Sequence, residues 1–127
     1  MGLKFLKIAV VYLFVGACLG LGMGITQKFT LVPVHAHLLL LGWASLALAG
    51  VVYHFYPAAS TTRMARVHFW LHNLGLPIFM IALAYLLTTN AEGVTPVVGI
   101  SATVVVIGLC LFMINVLVNI KPPQAGA

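Results

Sequence analysis

Acidic residues are almost missing from this 127-residue chain: Glu92 is the only one, against six Lys or Arg, and charged side chains make up 6% of the whole. A water-soluble domain carries roughly a quarter charged residues to coat its surface, so this chain lacks the side chains to face water. With 63% hydrophobic residues, its solvent is lipid. Nucleic acid is excluded as a partner, because basic residues that read phosphates cluster on a polar face and these are scattered between apolar blocks. Cysteine is sparse. Cys18 and Cys110 have no near partner in sequence and no CxxCH motif for covalent heme exists, so both thiols read as inert packing residues. Hydrolytic catalysis is poorly served, since no Ser, Cys or carboxylate sits beside a His as a nucleophile pair.

Long apolar runs are abundant instead. A bilayer core of ~30 Å needs ~20 apolar residues per helix, and four blocks supply them: residues 5–25, 34–56, 67–88 and 95–117. The connections, 26–33, 57–66 and 89–94, are short and rich in Pro, Thr, Ser or Asn, as turns are. The expected fold is therefore an all-α membrane protein, a single four-transmembrane-helix antiparallel bundle over residues 1–127 with a short tail from 121. One side of such a bundle collects Lys4, Lys7, Arg63, Arg66 and Lys121, and the other holds Lys28 and Glu92. Positive residues in short loops stay cytoplasmic, which places the N and C termini in the cytoplasm of a multi-pass protein of a bacterial inner membrane. Val15-Gly16-Ala17-Cys18 has the form of a lipoprotein cleavage box. The apolar stretch continues past Cys18, so this segment is read as the first span.

Ionisable residues inside spans are expensive and mark function by default. Five histidines stand out, in two layers: His35 and His37 at the outer start of the second span, and His54, His68 and His72 toward the inner side. At ~100° per residue, His35 and His37 face opposite sides of a regular helix and cannot share one metal; they could serve two sites, or lie in the headgroup zone as interfacial residues. His68 and His72, at i and i+4, share a face. With His54 one short loop away, they could converge on copper or zinc, or His68 could snorkel to the interface. Gly16, Gly20 and Gly24 form a GxxxGxxxG ridge for close helix approach. Pro77 deprives the Asn73 carbonyl of its helical partner and is expected to kink the third span.

The second span, His35-Ala36-His37-Leu38-Leu39-Leu40-Leu41-Gly42-Trp43 running on to Tyr53-His54-Phe55-Tyr56-Pro57, resembles heme-bearing helices in subunit I of the heme-copper oxidase and nitric oxide reductase superfamily. The opening of the third span, His68-Phe69-Trp70-Leu71-His72-Asn73-Leu74-Gly75, is similar to a helix opening in the same group. That subunit arranges twelve helices as three arcs of four, with hemes held by histidines in the outer halves of even-numbered helices. The resemblance implies that His35 and His37 are axial ligands of heme b, and that three copies rebuild a ring as a homo-oligomer.

A bis-histidine iron needs two imidazole nitrogens ~4 Å apart, twice the metal–nitrogen distance, while His72 lies ~15–20 Å from the outer pair along the membrane normal. The second ligand would then come from another copy, or from Met23 at the outer end of the first span as a His/Met pair. The departures from the family are an absent adjacent His-His pair for the oxidase copper, no paired Arg for heme propionates and no acid in any span. They argue against proton-pumping oxygen reduction. The expected function is a heme b-binding membrane protein that transfers electrons or binds O2 or NO, with a quinol or another redox partner and oxidoreductase as the compatible enzyme class. The alternatives are a copper- or zinc-binding assembly factor for a respiratory enzyme, using His54, His68 and His72, and a structural subunit with interfacial histidines.

Overall fold

In lipid every backbone N–H and C=O must be satisfied within the chain, which leaves a sequence of this composition little option but helix. The structure, a computed structural model, describes residues 1–123 and Gly126; the remainder of the tail expected from residue 121 lies outside the described residues. Four helices are long and apolar enough to cross a membrane: a first span Gly2–Thr26, a second Val32–Phe55, a third Arg63–Thr89 and a fourth Glu92–Asn119. Among the described residues there is no strand.

The helices outrun the apolar blocks at every end but one, because hydrogen-bond closure and not hydropathy sets a helix end. The third span starts at Arg63, where the Thr62 hydroxyl caps the Ala65 amide at 3.0 Å. The exception is Tyr56. It leaves the helix at φ −123°, ψ 79°, as the residue before a proline is driven to do, and Pro57 then opens a short helix Pro57–Ser60. The first and third spans both stop on a left-handed residue, Gln27 (φ 55°) and Asn90 (φ 53°), the conformation that terminates helices.

Glycine decides where the spans touch. A Cβ at Gly2 would lie 2.5 Å from the Gly50 carbonyl oxygen, one at Gly16 would lie 2.7 Å from the Leu39 side chain, and one at Gly42 would strike the Tyr12 ring at 2.5 Å. The first and second spans thus meet backbone to backbone at Gly2 and Gly50, and side chain against bare backbone at Gly16 and Gly42. Gly75 and Gly108 do the same for the third and fourth spans, against Val104, Val105 and the His72 backbone. Of the glycine ridge, Gly16 and Gly20 face the second span while Gly24 meets open space.

The distribution of polarity is inverted relative to a soluble protein. Phe14, Ile25, Ile81 and Leu117 are more than two-thirds exposed, whereas His68, His72 and Asn115 are completely buried. Hydroxyls satisfy themselves on their own helix: Thr26 donates to Gly22, Ser101 to Val97 and Thr103 to Gly99. Cys18 and Cys110 are exposed on the outer surface of the helices, so neither is the buried packing residue expected. Their apolar, weakly polar thiols are tolerated facing lipid.

The second span is interrupted. After an α-helical start, Val32–His37, it widens into a π-helical stretch, Leu38–Ala44, before resuming as α-helix over Ser45–Phe55. At its end the Ser45 amide bonds to the Leu40 carbonyl and passes over Leu41.

Candidate functional site

The outer histidines sit in the first turns of the second span, behind Pro33. The His35 ring lies over Gly20, where a Cβ would come within 2.6 Å of its Cε1. Its Nδ1 is 2.8 Å from the Gly16 carbonyl oxygen. A carbonyl can only accept, so Nδ1 carries the hydrogen and, in a neutral ring, Nε2 carries the lone pair. His37 is fixed in the same way: Nδ1 donates to the Pro33 carbonyl at 2.6 Å, and the ring stands edge-on to Phe79 at 5.2 Å. Neither Nε2 has a hydrogen-bond partner among the described residues. His35 faces the first span and His37 the third, the opposite directions that 100° per residue requires.

Met23, the other expected ligand, is 7% exposed and lines a groove of about 390 Å³ at the C-terminal ends of the first and third spans. Neither His35 nor His37 lines that groove.

The inner layer is arranged differently. His54 is exposed at the end of the second span, with its ring against Phe55. It does not join the other two. His68 and His72 are buried and joined in a string that one terminal acceptor orients throughout. His72 Nε2 is 2.8 Å from the Leu41 carbonyl oxygen, the one that the Ser45 amide passes over, so Nε2 carries the hydrogen. His72 Nδ1 must then accept from His68 Nε2 at 3.3 Å, and His68 Nδ1 accepts from the Tyr53 hydroxyl at 3.1 Å. The His68 ring is also stacked between Phe5 and Phe112, each with its centroid 5.1 Å away. All four spans meet around this ring. Asn115 extends the polar core at the same end, donating to the Ala59 carbonyl at 2.9 Å and accepting from Asn119 at 2.8 Å.

Chemically the two layers differ in what they leave free. Each outer ring is pinned by a backbone carbonyl and presents an unshared lone pair, the tautomer and support found in metal-ligating histidines. In the inner pair all four ring nitrogens are engaged, and a cation between His68 and His72 would have to displace the hydrogen they share. Among the described residues no group of three or more His, Cys, Asp or Glu is disposed to hold a metal. Asn73 is a lesser polar feature: its amide donates to the Phe69 carbonyl at 2.8 Å, while its Oδ1 is buried without a partner.

Sequence reasoning found the histidines and missed their partners. Tyr53 entered the sequence reading only as part of the stretch ending the second span, and its pairing with His68 is a tertiary fact. The π-helical stretch left no local signal, because its freed carbonyl is matched by a residue 31 positions later. No family model, curated protein or solved structure matches the chain.

Proposed function

We propose that this is a heme b-binding integral membrane protein, akin to subunit I of the heme-copper oxidase and nitric oxide reductase superfamily, that carries electrons or binds a diatomic gas. One observation carries the reading: His35 and His37 each have Nδ1 tied to a backbone carbonyl and Nε2 unpartnered. His68 and His72 have no nitrogen to spare, which favours heme at the outer layer over copper or zinc at the inner one. Bound heme would supply one-electron chemistry and an iron position for O2 or NO. The protein's part is to present Nε2, fix the ring plane and keep the surroundings apolar.

Because the outer histidines face opposite sides, a bis-histidine iron draws its second nitrogen from another copy, and a homo-oligomer with hemes at its interfaces follows; the family's three arcs make a trimer the natural size. A His/Met pair through Met23 is the intramolecular variant, and it requires a histidine to enter the groove that Met23 lines and that neither His35 nor His37 lines. The bundle is antiparallel, with Lys4, Lys7, Arg63, Arg66 and Lys121 marking a cytoplasmic face of a bacterial inner membrane.

The test is an absorbance spectrum of the purified full chain, oxidised and dithionite-reduced, with metal content on the same sample. A reducible Soret band with b-type visible bands is expected. His37→Ala should abolish the low-spin spectrum, while His72→Ala should keep it. Absence of any chromophore, or a spectrum unmoved in both His35→Ala and His37→Ala, sinks the assignment. Stoichiometric copper or zinc without a Soret band selects the metal reading at the inner layer.

A further inference from the structure

The groove at the outer ends of the first and third spans has a shape and a charge of its own. It runs along the first span from Cys18 to Thr26, which at 1.5 Å rise per residue is ~12 Å, close to the ~15 Å hydrocarbon depth of one leaflet. Leu19, Met23 and Leu31 give it apolar walls. Its wall at Gly22 is bare: a Cβ there would meet nothing within 4 Å. At the mouth stands Lys28, the only charged side chain among the lining residues. The one acid of the chain, Glu92, is not among them. The last turns of the first and third spans line the groove at Thr26 and Thr88; their carbonyl ends make the helix field there negative, which Lys28 offsets as the one positive side chain available to an anion.

We infer that this groove is a binding site for a phospholipid of the adjoining leaflet, with one acyl chain laid between Leu19, Met23 and Leu31 and the phosphate paired with Lys28. The length of the groove fits the part of an acyl chain within one leaflet. Its chemistry changes from hydrocarbon to cation at the level where a phospholipid changes from chain to phosphate. The bare glycine wall gives the chain its room. The inference rests on the bis-histidine form of the proposed heme site, since a heme ligated by Met23 would occupy this same groove.

The experiment uses the full chain, delipidated in detergent and supplied with either phosphatidylglycerol or diacylglycerol of the same acyl chains, and counts retained lipid by native mass spectrometry. Wild type should retain phosphatidylglycerol in preference to diacylglycerol. Lys28→Gln should lower that preference roughly fivefold, the value of one lysine at an anionic membrane surface, and Lys28→Arg should keep it. Gly22→Leu, whose Cβ meets nothing within 4 Å and whose side chain takes up space in the groove, should remove retention of both lipids. Equal retention of the two lipids by wild type, retention unchanged by Gly22→Leu, or a tetrapyrrole or quinone as the molecule that Gly22→Leu displaces would each overturn the assignment.

Discussion

At the scale of residues, glycine and histidine act together. His35 fits between the first and second spans only because Gly20 has no side chain, and its ring orientation follows from the Gly16 carbonyl. Gly20→Ala should therefore expel the ring and cost about 1–3 kcal/mol, as overpacking does. Gly24→Ala, on the same ridge but facing open space, should leave stability unchanged or raise it by up to about 1 kcal/mol, the helix preference of Ala over Gly. Thermal unfolding of the two variants in detergent compares them directly, and equal midpoints would refute this account of the ridge. The GxxxGxxxG spacing was readable in the sequence; which glycines serve the second span was not, because that depends on the neighbour's side chains.

At the scale of elements, the ends and interruptions of helices carry most of what hydropathy could not reveal. The four apolar blocks were legible because lipid imposes a length of ~20 residues per crossing. The start of the third span was not, since Arg63 and Arg66 look foreign to a membrane helix although the Thr62 hydroxyl begins it there. Thr62→Ala should destabilise by about 1 kcal/mol, with Thr62→Ser close to neutral, in line with loss and retention of an N-cap; a chemical or thermal melt of each variant reads the difference. The opposite facing of His35 and His37 followed from helical periodicity alone. The buried string from Tyr53 to Leu41 did not, because it joins positions 15 and 31 residues apart through a carbonyl that a regular helix would have used internally.

At the scale of the molecule, the apolar exterior and polar centre make lipid the solvent, and the uneven placement of basic residues sets the proposed orientation. A fluorescent protein fused after residue 123 should fluoresce, and alkaline phosphatase fused after Phe29 should be active, since folding and activity of these reporters depend on the side they reach; the reverse pattern would invert the topology. The π-helical stretch Leu38–Ala44 lies between the two histidine layers and takes up one residue more than a regular helix would hold in the same turns. A π-turn holds one residue more than an α-turn, so removing one residue from this stretch would close it to α-helix, and the Leu41 carbonyl that accepts from His72 would be taken up by a backbone amide. Its leucines are exchangeable for other apolar residues of similar size far more readily than their number is, and insertions or deletions here would be selected against where substitutions would drift.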